Sequence, residues 1–223
     1  MSYKFDFAFL ADKWPAFVAG AWLTIQLTIL AIALGFVVGT MCAIARVYGR
    51  PLLRRLVGAY VEVIRNTPFL VQIFFLYFGL PTIGIRLDPN TAALLALVVN
   101  FGAYGTEIIR AGIESIHKGQ LEAGTALGLS RLQIFRYVVM KPALRTVYPA
   151  LTSQFIYLML TSSVVSVISA TDLAAAGNDL QSQTFASFEV YLVVTAIYLA
   201  LAVGFSAIFA AIQRAAFTYP MSR

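Results

Sequence analysis

Residues 17–45 read FVAGAWLTIQLTILAIALGFVVGTMCAIA and contain no Asp, Glu, Lys or Arg. One crossing of a bilayer needs about 20 mostly apolar helical residues, so this run is long enough to span. It also exceeds the roughly 7 to 15 residue core of a cleavable leader. Four more stretches pass the same test, at about residues 56–80, 91–109, 143–168 and 190–212. The composition agrees: 60% of the 223 residues are hydrophobic, 12% are charged and the mean hydropathy is +0.82, against about 45–50% apolar in a soluble domain. The sequence predicts an all-α membrane protein of five transmembrane helices, a single domain over residues 1–223 with no room for a sizeable soluble part. Gly20, Gly35, Gly39, Pro68, Gly102, Gly105, Pro149 and Gly204 fall inside the spans. In a bilayer small residues allow close helix contact, and neighbours can satisfy a carbonyl freed by proline.

Several chemistries are excluded. Cys42 is the single cysteine and His117 the single histidine, which leaves neither a disulfide framework nor a metal cluster. No Gly-x-x-x-x-Gly-Lys-Ser/Thr loop occurs, so a nucleotide that drives this protein sits on another chain. The net charge of +6 is a topology signal. Arg46, Arg50, Arg54 and Arg55 fill the first connection. Arg110, Lys118, Arg131, Arg136, Lys141 and Arg145 fill the third, and Arg214 and Arg223 the tail. The opposite side has only Lys4, Lys13 and Arg86, with Arg65 inside a span. Positive residues collect on the cytoplasmic side, which predicts the N-terminus outside and the C-terminus in the cytoplasm, and leaves no patch for nucleic acid.

The third connection, residues 111–141, is long and polar. Residues 119–127 form an Ala-rich helical pattern that stops at Gly128, where glycine tolerates the left-handed C-terminal position. Ser130 then caps a second helix, with Gln133 completing a capping box and Leu132, Phe135 and Val139 on one face. A short helix carrying small side chains suits insertion into another protein's groove; the plain alternative is a helix lying on the headgroups.

Within the membrane, Glu62 and Arg65 stand three apart, followed by Asn66, Thr67 and Pro68. Ionisable residues in a span are functional candidates. Pro68 frees the carbonyl of Ile64, so the helix should bend or break there, and broken helices expose polar backbone where transporters hold substrates. The plain alternative pairs Glu62 with Arg65, or either with Glu107, to hold spans together; the two roles are compatible. Gln154, Tyr157 and Thr161 share one face of the fourth span, with Ser162 and Ser163 next in the chain, and Asn100, Tyr104 and Glu107 form a similar stripe on the third. Such faces line polar paths, although single Ser and Thr residues also act as interhelical contacts of about 0.6 kcal/mol.

These residues carry a resemblance. Arg65-Asn66-Thr67-Pro68-Phe69-Leu70-Val71-Gln72 resembles the second-helix signature of the permease subunits of ATP-binding-cassette importers, polar amino acid branch. Gly102-Ala103-Tyr104, Glu107-Ile108 and Arg110-Ala111-Gly112-Ile113 resemble its third-helix signature. Gly119-Gln120-Leu121-Glu122-Ala123-Gly124, then Ala126-Leu127-Gly128-Leu129-Ser130, resembles the family's Glu-Ala-Ala loop. The resemblance covers nearly the whole chain and implies a type I importer permease fold. It implies that Glu122, Ala123, Gly124, Leu127, Gly128 and Ser130 form the coupling helix that docks into an ATPase subunit. The chain departs from the pattern in three places. Gly124 replaces alanine, which loosens the helix by up to about 1 kcal/mol while keeping a small docking surface. Pro142 stands one position later than usual, and Leu160-Thr161-Ser162-Ser163 lacks the aspartate that many members place there.

The expected function draws on both readings. The chain forms half of the pathway of an ATP-driven amino acid importer in a bacterial plasma membrane. It is not itself an enzyme, and it binds no cofactor, with ATP and magnesium held by two partner ATPases. A second permease, identical or homologous, and an extracytoplasmic amino-acid-binding protein complete the set. Arg65, Asn66, Thr67, Pro68, Gln72, Tyr104, Gln154, Tyr157, Thr161, Ser162 and Ser163 are the expected pathway residues, with Glu62 and Glu107 as intramembrane pairing groups. An ion-coupled secondary transporter of small polar solutes is the alternative; it would need no coupling loop, and no internal repeat supports it.

Overall fold

The structure, a computed structural model, describes Phe5 and residues 7–217. Lys4 and Arg223, both used in reading the orientation, lie outside the described residues, as does the side chain of Lys141. The chain folds as α1 (Phe9–Tyr48), α2 (Pro51–Arg65), α3 (Phe69–Phe74), α4 (Pro89–Glu114), α5 (Lys118–Ala126), α6 (Arg131–Gln133), α7 (Met140–Thr161), α8 (Leu173–Thr184) and α9 (Ser187–Ala216). Helix α3 runs on as a π turn, Phe75–Gly79, and a 3-10 turn, Leu80–Ile83. Helix α7 runs on as a 3-10 turn, Ser162–Ile168.

Four segments are long and apolar enough to cross a bilayer: Asp12–Tyr48, Pro89–Glu114, Pro142–Ile168 and Ser187–Ala216. The expected span at 56–80 is not one helix. It is α2 and the Phe69–Ile83 segment, bent by 110°. Proline cannot donate to the preceding turn, and Asn66 and Thr67 turn their side chains back onto it, so of the expected bend or break the chain takes the break.

Helix α4 is the hub. Ala92, Ala93, Ala96, Leu97, Phe101, Ala103 and Thr106 are all buried, and Leu27, Ala31, Ile73, Leu151, Leu158 and Val165 pack around them. Asp88 caps its start by accepting from the Thr91 N–H at 3.1 Å, ahead of Pro89 at the first helical position, where a missing N–H costs nothing. Close approach to α1 depends on a Gly-x-x-x-Gly pair. A Cβ on Gly35 would come within 2.7 Å of Phe101 Cδ1, and one on Gly39 within 3.2 Å of backbone atoms of Gly102, Gly105 and Thr106. By contrast α9 has no buried residue beyond Val194, with Leu199, Val203 and Ile208 facing outward. Its anchors to α7 are the Tyr148 hydroxyl donating to the Phe209 carbonyl at 2.9 Å and the Phe155–Phe209 ring pair.

At the end holding the N-terminal half of α1, α8 closes a second core made of Phe17, Leu173, Leu180, Val190 and Val194. Asp172 caps α8 by accepting from the Ala175 N–H at 2.9 Å, and it accepts from the Tyr198 hydroxyl at 3.2 Å. The Leu173 N–H donates to Thr24 Oγ1. Burial pushes the Asp172 carboxyl up from 3.8 to about 6. The folded chain therefore holds that proton more tightly than the unfolded one. The contribution favours folding below pH 4 and is lost as pH rises through 6, an effect on the order of 3 kcal/mol.

Two outcomes are expected. Gly39→Val should lower the thermal midpoint in detergent by an overpacking cost of about 1–3 kcal/mol, while Gly204→Ala, with no atom within 4 Å of its Cβ, should not. The Asp172→Asn midpoint should gain on the wild type between pH 4 and pH 7; parallel melting curves across that window would contradict the assignment.

Candidate functional site

The break after α2 leaves carbonyls without helical partners, and in a membrane such groups must be satisfied internally. Two side chains, Thr67 and Gln72, take them, and a third, Asn66, reinforces the last helical bond, that of its own N–H to the Glu62 carbonyl. Asn66 Nδ2 donates to the Glu62 carbonyl at 2.8 Å and to Glu62 Oε2 at 3.0 Å. Thr67 Oγ1 donates to the Val63 carbonyl at 2.8 Å. Gln72 Nε2 reaches the Ile64 carbonyl at 2.7 Å and the Thr67 carbonyl and hydroxyl at 3.0 Å each. The Ile64 carbonyl freed by Pro68 is thus captured by Gln72.

Beside the break lies a pocket of about 350 Å3 lined by Arg65, Asn66, Thr67, Pro68, Phe69, Asn100, Tyr104, Tyr157 and Thr161. Helices α2, α4 and α7 each contribute, so residues far apart in sequence meet. The Arg65 guanidinium stands over the Tyr104 ring, 5.4 Å from its centroid, a cation–π contact. Among the described residues Arg65 makes no ion pair, and the hydroxyls of Tyr104, Tyr157 and Thr161 make no hydrogen bond. No carboxylate lines the pocket. Its inventory is one cation beyond salt-bridge distance of any carboxylate, free hydroxyls and two amides, Asn66 and Asn100.

Four expected pathway residues stand elsewhere. Gln72 is buried and occupied with the backbone. Ser162 is fully buried and donates to the Met159 carbonyl, and Ser163 donates to the Leu160 carbonyl. Gln154 does not line the pocket, and its Nε2 is buried without a partner. Ser162 and Ser163 are expected on the pathway as the hydroxyls that follow Thr161, but the chain tightens to 3-10 geometry there and turns them back on the preceding turn. Asn100, seen in the sequence only as part of the α4 stripe, does line the pocket; its spacing of four from Tyr104 was the available signal.

The expected ion pairs also change. Glu62 pairs with no cation among the described residues; its carboxylate is held by Asn66. Glu107 pairs with Arg110 at 2.7 Å and with Arg46 at 3.7 Å, and Arg110 also bonds Glu114. Gly58 leaves room for this, since a Cβ there would meet Arg46 Nη1 at 2.5 Å. Two arginines counted as orientation signals therefore also bind Glu107, Arg46 from α1 and Arg110 from within α4 itself.

The 115–139 connection forms the expected helix α5. It ends in a Schellman motif, with the Gly128 N–H donating to the Thr125 carbonyl and the Leu129 N–H to that of Gly124, and Gly128 at φ 73°. The Ser130–Gln133 capping box forms. Beyond it the chain makes no separate helix; a π segment, Ile134–Val139, runs directly into α7. The wider period spreads the expected apolar face, so that Leu132 is exposed, Phe135 half-buried and Val139 buried. Gly124 faces inward, where a Cβ would sit 3.1 Å from Ile134 Cγ1. It is small to admit Ile134, not to present a docking surface. Glu122, Ala123, Leu127, Gly128 and Ser130 are exposed.

A broken helix beside a polar pocket, above an exposed short helix with an apolar tip, defines a membrane permease worked by a partner. Residues 32–217 match the family described as the binding-protein-dependent transport system inner membrane component. The chain belongs to that family. It is 36% identical to the glutamine transport system permease protein GlnP of Escherichia coli (strain K12), over 95% of this chain and 97% of the relative. It is 34% identical to the L-cystine transport system permease protein TcyL of Bacillus subtilis, over 92% and 89%. A solved structure described as an amino acid ABC transporter with histidines superposes with a TM-score of 0.88 at 35% identity, over 95% of this chain and 99% of that one. The MetNI methionine ABC transporter, at 24% identity and a TM-score of 0.77, shares the fold. The chain is a multi-pass inner-membrane permease of the polar amino acid ABC type, with the type I importer fold. ATP hydrolysis lies on separate subunits, and a binding protein is part of the system. The ion-coupled alternative gives way to this membership.

Leu127 is 79% exposed at the tip of α5. Leu127→Asp should therefore strip the ATPase from the permease in mild detergent without moving the permease's own melting point. Gly124→Leu should lower that melting point instead.

Proposed function

We propose that this chain supplies half of an amino acid importer's pathway and holds its cargo by the carboxylate at Arg65. The observation that carries this is the unpaired guanidinium in a carboxylate-free pocket. A charge in a membrane is costly without a partner, and a guanidinium matches a carboxylate with two parallel hydrogen bonds. The free hydroxyls of Tyr104, Tyr157 and Thr161 and the Asn100 amide suit an α-ammonium group and a neutral polar side chain. A cationic side chain would meet Arg65 with nothing to offset it. The relatives named for glutamine and L-cystine transport support a zwitterionic cargo.

In this reading the N-terminus is outside, as the charge distribution predicts. Two ATPase subunits, carrying ATP and magnesium, dock at α5 through Glu122, Ala123, Leu127 and Gly128, with Ser130 fixing the exit of the loop. Cargo arrives from an extracytoplasmic binding protein at the α8 end, and a second permease, identical or homologous, supplies the other half. This chain binds no cofactor of its own. The test is uptake in proteoliposomes holding the whole complex. Arg65→Ala should reduce uptake by at least about 100-fold, the cost of removing a charged hydrogen-bond partner of roughly 3 kcal/mol, with assembly and basal ATP hydrolysis intact. Normal uptake by Arg65→Ala would discard the carboxylate site.

A further inference from the structure

The pocket and the helix break share one hydrogen-bonded pair. Gln72 is 9% exposed and Asn100 is 4% exposed. Asn100 Nδ2 donates to Gln72 Oε1 at 2.9 Å, while Gln72 Nε2 holds the Ile64 and Thr67 carbonyls. Those carbonyls flank Arg65 and Asn66, the turn from which the guanidinium enters the pocket. Asn100 is itself a lining residue. The amide of Gln72 therefore faces the backbone on one side and the pocket wall on the other.

We propose that Gln72 is the residue that positions Arg65 for its ligand, with Asn100 joining this clasp to whatever occupies the pocket. The inference rests on the carboxylate reading of the pocket given above. A buried carbonyl that loses its donor costs more than an ordinary hydrogen bond gains. Releasing the Ile64 and Thr67 carbonyls therefore lets the backbone on either side of Arg65 seek other partners, and the angle between α2 and α3 ceases to be unique. A ligand that takes the free side of Asn100 acts on that angle through one hydrogen bond. No other side chain among the described residues bonds to a carbonyl on the α2 side of the break from the far side of it. Asn66 and Thr67 act from within the turn itself, so they cap α2 without setting the direction in which α3 leaves.

The test uses the complete transporter, ATPases and binding protein included, in proteoliposomes. Gln72→Met keeps the length of the side chain and removes its donors; Asn100→Leu keeps the approximate volume facing the pocket and removes the donor to Gln72 without adding a carboxylate beside Arg65. Spin labels at Val63 and Phe75, both exposed on opposite arms of the break, are placed in a Cys42→Ser background and read the arm-to-arm distance. A loss of fold alone would lower uptake and ATP hydrolysis together. The positioning role predicts that Gln72→Met assembles and hydrolyses ATP while uptake falls about tenfold, the cost of a buried unsatisfied group. ATP consumed per molecule imported then rises, and the label distance broadens. Asn100→Leu should move the same three readings in the same direction by less.

Uptake within twofold of wild type and an unchanged distance in Gln72→Met overturn the proposal. If Gln72→Met fails to assemble, Asn100→Leu decides: an unaltered ATP-to-cargo ratio there overturns it, and a raised ratio with a broadened distance sustains it. Arg65→Ala, run beside them, separates the two readings. Normal uptake in Arg65→Ala removes the carboxylate site and this inference with it. Defective Arg65→Ala beside a normal Gln72→Met removes this inference alone.

Discussion

The structure turns on the fate of the carbonyls at the end of α2. In water an interrupted helix exposes its last carbonyls at little cost, but in hydrocarbon each must find a donor within the protein. Pro68 removes one donor, and the chain answers with Asn66, Thr67 and Gln72, all within six residues of it. This local supply permits a turn of 110°, and the turn carries Arg65 into contact with Tyr104. A straight second span would leave the guanidinium against lipid or against Glu107. The signature residues from 65 to 72 thus divide the labour, with Arg65 left free by neighbours that attend to the backbone.

The same constraint shapes the packing around α4. Helices in lipid gain little from burying apolar surface against one another, so contact relies on close van der Waals approach and interhelical bonds. Gly35 and Gly39 bring α1 down onto the backbone of α4, and Gly102 admits Tyr60, whose hydroxyl donates to the Val99 carbonyl at 2.6 Å. Arg46 reaches Glu107 across the same two helices at the end where α1 meets α2, and Arg110 holds that carboxylate from within α4. The result is a firm α1–α4 pair against which the broken segment and α7 can be arranged, with α9 at the margin.

The loop between α4 and α7 obeys a different rule, because it is built to be recognised. A Schellman stop and a capping box satisfy its backbone groups locally, so its shape does not wait on the partner. Gly124 lets it fold back on Ile134, and Leu127 is left outward. The π segment at Ile134–Val139 joins it without a hinge to α7, whose far half lines the pocket through Tyr157 and Thr161. Tyr157 and Thr161 thus lie on the continuous helical run that starts at Arg131, just past the turn that closes α5.

Much of this was legible in residue patterns with local causes. Apolar runs longer than a bilayer fixed the spans, glycine at 128 and serine at 130 fixed the loop's stops, and proline at 68 fixed the place of the break. Seven of the proposed pathway residues, Arg65, Asn66, Thr67, Pro68, Tyr104, Tyr157 and Thr161, do converge on one pocket. What the pattern could not reveal was direction. Ser162 and Ser163, named for their hydroxyls beside Thr161, turn back onto the backbone because the helix tightens there. Helical spacing spread Leu132, Phe135 and Val139 along one face that a π segment opens up. Gln72 reads as one more polar residue in a signature, and only the three-dimensional return of α3 toward α2 makes it a clasp; Glu107 takes Arg46, more than sixty residues away, for the same reason. Composition, periodicity and capping act between neighbours and so are written along the chain, whereas the partner of a buried amide or carboxylate is chosen by which helices come to lie side by side.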